Sequence, residues 1–146
     1  MNSETEALIE QLVTTHGEEG VCPTREDWRA IFAIAPGPIR ILNLLKFARE
    51  VAGESGKISG EEAYGNYVQG VGPVFQRVGG QRIFAGRVGA SFAMGPKGDW
   101  DFAIVTRYPS AAALAAMWLD AEFIKAHENR LDGVASSQVY VFGGQA

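Results

Sequence analysis

With 146 residues, 47% of them hydrophobic and 21% charged, the chain is one domain's worth of sequence and long enough to bury a core without disulfides or metals. A net charge of −4 argues against nucleic acid as a partner, and no apolar run reaches the roughly 20 residues of a membrane span. The acidic start Met1 to Glu10 is unlike a signal peptide, and the single cysteine, Cys22, has no disulfide partner and reads as a spare loop thiol, so a cytoplasmic location is expected.

Ser3-Glu4-Thr5-Glu6 fits a capping box, and Leu8, Ile9, Leu12 and Val13 then follow at the helical period. The polar, glycine-punctuated stretch Thr14 to Gly20 ends that helix, and His16 at its end needs no function. Thr24-Arg25-Glu26-Asp27 is a second start signal, with Trp28, Ile31 and Phe32 on one face. Residues 1–35 are therefore predicted to be a helical extension of two short amphipathic helices. Their apolar stripes must pack on the main domain or on a partner subunit.

Pro36-Gly37-Pro38 stops the extension and opens the main domain, expected over residues 36–146. Ile39 to Phe47 reads as a strand whose odd-numbered face is apolar except for Asn43, and a buried amide left without hydrogen bonds costs about 1–3 kcal/mol. Ala48 to Ser59 reads as an exposed loop. A third capping box at Ser59 to Glu62 starts a helix through Tyr64, Tyr67, Val68, Val71, Phe75 and Val78, with a kink expected near Gly72 because Pro73 removes an amide. Gln81 to Met94 predicts a long strand bulged at Gly86 or Gly89, and a turn at Gly95 to Asp99 joins it antiparallel to a strand over Trp100 to Tyr108. Ser110 starts the next helix, Asp120 caps a further stretch through Phe123, Ile124 and Leu131, and Ser136 to Phe142 alternates as a last strand.

Without the extension the order is strand, helix, strand, strand, helix, strand. That is the α+β, ferredoxin-like split βαβ pattern, in which two helices cover one face of a four-stranded antiparallel sheet. The other face carries Val, Phe and Ile side chains that need a cover, so a homodimer is expected.

Asn43-Leu44-Leu45-Lys46-Phe47, Glu62-Ala63-Tyr64 with Tyr67, Gly79-Gly80, Trp100-Asp101, Tyr108-Pro109-Ser110 and Arg130 together resemble the domain-of-unknown-function 1330 family over roughly Pro38 to Phe142. The resemblance implies a dimeric α/β-barrel made of two ferredoxin-like subunits. Its superfamily also resembles cofactor-free monooxygenases, isomerases and haem-handling proteins with a pocket between sheet and helices. No catalytic set carries over residue by residue.

Four residues are candidates for chemistry. Asn43 is either a structural tie or an amide that orients a ligand's carbonyl or hydroxyl. Arg107 shares its strand face with Asp101, Ala103 and Val105, and is placed either to hold a ligand carboxylate or to pair with Asp101 or another acid. Tyr67 lies one turn from Tyr64, and its phenol can donate a proton unless both rings simply fill core. His127, half on an apolar stripe, could be a general base, a haem ligand or a core histidine.

Tyr64, Trp100 and Arg130 are candidates for ligand contacts, against readings as core rings and, for Arg130, a helix-end charge. Lys46 points away from Asn43 if the strand is regular. No HxH, HExxH, CxxC, P-loop, GxSxG or dinucleotide motif is present, so neither a metal nor a cofactor is expected. The reading is a small-molecule pocket; if it is enzymatic, the chemistry expected is a cofactor-independent monooxygenase or isomerase reaction on an aromatic or polyketide-like metabolite. The alternatives are a dimeric binding module using the N-terminal helices and, behind both, haem binding.

Overall fold

The computed structural model describes residues 1–34 and 36–143; the expected boundary at Ala35 and the last three residues of the main domain lie outside that range. Helices α1 (Ser3–His16) and α2 (Arg25–Ala33) precede strand β1 (Ile39–Phe47), the short strands β2 (Val51–Gly53) and β3 (Gly56–Ile58), and helix α3 (Gly60–Arg77). Strands β4 (Gln81–Arg87) and β5 (Phe102–Tyr108), helices α4 (Ala111–Leu119) and α5 (Ala121–Gly133), and strand β6 (Val134–Phe142) complete the chain. The main sheet has the order β4-β5-β1-β6 with every pair antiparallel, which is the ferredoxin-like arrangement.

Side-chain oxygens hold most helix starts. Thr24 and Asp27 form a reciprocal capping box on α2, while Ser59 and Ser110 accept from the Glu62 and Ala113 amides at 3.0 Å each. For α1 the expected Ser3 box is replaced by Asn2, whose Oδ1 accepts from the Thr5 amide at 2.8 Å. Asn is as good an N-cap as Ser, and with Asn2 in that role the helix begins one residue earlier. Asp120 ends α4 and caps α5.

Four expectations about local structure change. Ala48 to Ser59 is not a bare loop, because β2 and β3 pair as a hairpin from Val51↔Ile58 to Gly53↔Gly56, with Gly56 at φ 125° turning the chain. The strand after α3 ends at Arg87 rather than Met94; its partner β5 starts at Phe102, opposite Arg87, and one further bond, Val88 N–H to the Asp101 carbonyl at 2.9 Å, closes the ladder. The register shift falls between Arg82 and Phe84, not at Gly86 or Gly89. Helix α3 also runs through Pro73 without a break. It is clamped against α5, and a Cβ on Gly70 would come within 2.8 Å of the Ala126 Cβ.

The odd residues of β1 face the helices. Ile39, Ile41 and Leu45 are buried there, paired across to Tyr108, Thr106 and Phe102 on β5. The N-terminal helices pack on this same core: Ile9, Leu12 and Trp28 join Ile39, Val74, Leu114, Met117 and Phe123 in one cluster. Leu45, Tyr64, Ile104 and Val134 form a second. The opposite sheet face bears Phe84, Tyr140 and Phe142, all about half exposed.

Candidate functional site

Against the first of these clusters lies a cavity of about 650 Å³, in the range of small-molecule sites. One wall is the Gly20 to Pro23 loop with Asp27, Trp28, Ala30, Ile31 and Ile34 of the α2 region. The floor is the sheet, through Ile41 and Asn43 of β1, Thr106 and Tyr108 of β5 and Ser137, Val139 and Val141 of β6. Tyr67 of α3, Leu114, Met117 and Trp118 of α4 and Arg130 of α5 close the remaining side. The N-terminal helices thus build part of the cavity rather than lying apart from it.

Arg130 is the only cationic side chain on this lining and is 4% exposed. Its Nη2 donates to Asn43 Oδ1 at 3.5 Å, a long bond, and its Nη1 is buried with no partner. Among the described residues no carboxylate lies within ion-pair distance of it. A guanidinium stays charged inside a protein, and leaving such a charge unpaired in the interior costs several kcal/mol. Asn43 is therefore not an isolated amide: its Oδ1 is turned to the guanidinium, which leaves the Nδ2 group to donate elsewhere.

Tyr67, Tyr108 and Cys22 on the wall are held in their neutral forms. Burial pushes the Tyr67 and Tyr108 phenols above their ordinary range, with Arg130 opposing. Burial likewise raises the Cys22 thiol against a weaker pull from Arg130. Asp27, the lone carboxylate of the lining, accepts from the Thr24 amide at 2.8 Å. The cavity offers hydrogen-bond donors around one cation and, apart from Asp27, no ready base.

His127 sits behind this wall and does not line the cavity. Its ring stacks on Phe123 at 4.9 Å and also meets Trp118, Tyr67 and His16. It is 1% exposed with Nε2 unpartnered, and burial, then Arg130 and His16, lower its pKa to about 3. A ring enclosed this way has no open side for haem or for a substrate. His16 is far from idle, since its Nε2 donates to the Trp118 carbonyl at 2.6 Å and ties α1 to α4.

The structure therefore brings Asn43, Tyr67 and Arg130 to one cavity. It does not bring Arg107 there: Arg107 pairs across to Arg40 and Gln81 and lies on the open face of the sheet. Nor does Arg107 take Asp101, whose carboxylate accepts from the Phe47 amide at 2.9 Å and lies 3.8 Å from Lys46. Lys46 itself pairs with Asp99 at 2.8 Å, away from the Asn43 side. Tyr64 belongs to the second core cluster, and Trp100 is half-buried against Gly98 outside the cavity. Sequence reasoning missed Cys22 as a wall residue, and Trp28 and Ile31 as more than helix-packing residues. Their helical spacing marks the buried stripe but not the gap beside it.

The chain belongs to a family described only as Domain of unknown function (DUF1330), whose profile matches residues 53–144. Tyr67 and Arg130 lie inside that match, whereas Asn43 and the α2 wall lie before it. Among solved structures, the RPA0582 protein of unknown function from Rhodopseudomonas palustris is 29% identical, with a TM-score of 0.75 over 86% of this chain and 97% of its own. Its methylated form is 30% identical, with the same TM-score over 87% and 96%. A dabb family protein with a ferredoxin-like fold from Mesorhizobium loti aligns at 13% identity and TM-score 0.49, over 75% of this chain and 99% of its own. No curated protein matches the chain. No described helix is long and apolar enough to cross a membrane, and no described cluster of His, Cys, Asp and Glu could hold a metal ion.

Proposed function

We propose that this protein binds a small molecule in the cavity between its sheet, its N-terminal helices and α5. The observation that carries the reading is Arg130, a buried cation on the cavity wall that no acid of the described chain neutralises. A core built for stability alone has no use for such a charge, because hydrophobic residues in its place are as good or better for folding. Its presence fits a ligand that completes the site.

Binding is better supported than catalysis. A cofactor-independent isomerase or monooxygenase needs a base beside its substrate. The phenols and the thiol here are held protonated, His127 is walled off, and Asp27 is engaged at a helix cap. An aromatic metabolite remains a fitting guest, since Trp28, Tyr67, Tyr108 and Trp118 all border the space.

The same reading includes a homodimer in the cytoplasm. Leu42, Leu44, Phe84, Val105, Tyr140 and Phe142 share the open sheet face, and a second copy's equivalent face is the cover we assign to it. Sedimentation equilibrium should give twice the chain mass, and Phe84→Glu with Phe142→Glu should give a monomer.

The ligand reading is tested by thermal-shift screening of metabolites against the wild type and Val139→Phe, which narrows the cavity from a half-exposed position. A ligand that binds only the folded state must raise its midpoint. Hits confined to the wild type support the reading; a broad library without any hit overturns it.

A further inference from the structure

We infer that the cavity selects a small monocarboxylate with an apolar body, its carboxylate held by Arg130 and Asn43 and its body lying against Trp28, Ile31 and Trp118. This rests on the ligand reading above and adds the ligand's chemical class. Three features of the wall carry it.

The first is charge count. Arg130 is the one cation of the lining and Asp27, its one carboxylate, is engaged in the α2 cap and makes no ion pair with it, so a single negative charge balances Arg130, whereas a phosphate dianion would remain half uncompensated. The second is donor geometry. A guanidinium presents paired N–H groups that match a carboxylate's two oxygens, and here Nη1 has no partner while Nη2 has only a 3.5 Å contact. Asn43, whose Oδ1 accepts from the guanidinium, has its amino group to add, and Tyr67 beside them keeps its phenolic proton. The third is polarity. Away from these groups much of the wall is aromatic and aliphatic, which suits a hydrocarbon or ring and penalises a polyol.

The test is calorimetric titration of the full-length protein at pH 7.5 with cinnamate, 2-naphthoate and decanoate, each beside its methyl ester. Hydrogen bonds to a charged group contribute about 1.5–3 kcal/mol, so at least one acid should bind about tenfold to a hundredfold tighter than its ester. In Arg130→Met that preference should vanish while the ester still binds. Arg130→Lys, which keeps the charge but not the fork, should lose part of it, and serves as the deciding variant if Arg130→Met fails to fold.

Esters that bind as well as their acids, or a preference that survives in both variants, would overturn the carboxylate assignment and leave the ligand reading standing. If neither acids nor esters bind, the carboxylate assignment falls, while the pocket reading stands or falls on the metabolite screen.

Discussion

Arg130, near the end of α5, reaches Asn43 at the middle of β1 with one 3.5 Å hydrogen bond, and that contact is the only one either terminal guanidinium nitrogen makes with a side chain among the described residues. Eighty-seven residues separate the pair in sequence, so neither explains the other until the chain is folded. Removing Asn43 alone strips the buried guanidinium of its partner and should destabilise the apo protein by about 1–3 kcal/mol, whereas replacing both groups with apolar side chains should come close to neutral. Urea unfolding of Asn43→Leu, Arg130→Met and the double variant forms the cycle; strictly additive effects would show that the two residues do not act together.

His127 makes stability depend on pH in a stated direction. Its folded pKa of about 3 lies below the ordinary 6.5, so between those values the unfolded chain holds a proton that the folded chain does not. Stability is therefore undiminished above pH 6.5 and falls as the pH drops toward 3, by about 2–3 kcal/mol from this one residue at pH 4.5. His127→Phe should flatten the profile over that window while His16 and the surface carboxylates are left in place. Parallel profiles for the two proteins would contradict it.

Trp28 shows that the helical extension is part of the core. It is fully buried and meets Trp118 edge to face at 5.5 Å. Trp28→Ala should lower stability by about 3–5 kcal/mol, a loss read by thermal or urea unfolding. A freely attached extension would show almost no change.

Two glycines should respond in opposite ways. Gly65 of α3 is exposed, with open space where a methyl group would sit, so Gly65→Ala should stabilise by about 0.5–1 kcal/mol through helix propensity. Gly133, at the end of α5, is crossed closely by the backbone of Gly60, and a Cβ on Gly133 would fall 2.6 Å from the Gly60 carbonyl oxygen. Gly133→Ala should accordingly destabilise, by about 1–3 kcal/mol. Equal midpoints for the two variants would refute the close approach.

Much of the fold was legible because its signals are local. Serine and threonine caps, the stripe from Tyr64 to Val78 and the alternation in β1 each name their element without knowledge of the rest. The hairpin β2–β3 was not legible, since strands of three residues are too short to show alternation. The far end of the strand after α3 was hidden for the opposite reason: Val88 to Met94 continues an apolar pattern, but a strand needs a partner, and β5 begins only at Phe102.

Site residues divide on the same line. Parity correctly groups Arg107 with Ala103 and Val105, yet parity cannot say which face meets the helices. The pairing Asn43↔Ile104 decides it, placing Ile104, Thr106 and Tyr108 inward and Arg107 outward. Asn43 stood out as a polar break in an apolar face; that its neighbour would be Arg130 is a tertiary fact.

The measurement that bears most directly on the cavity as a ligand site is tryptophan emission during titration with N-phenyl-1-naphthylamine, a neutral apolar probe. Of the three tryptophans, Trp28 and Trp118 border the cavity and Trp100 does not. A ligand cavity predicts saturable quenching at one site per chain that leaves the Trp100 share of the emission, with Trp28→Phe and Trp118→Phe each removing part of the signal. Quenching that never saturates, or that resides in Trp100, would contradict it.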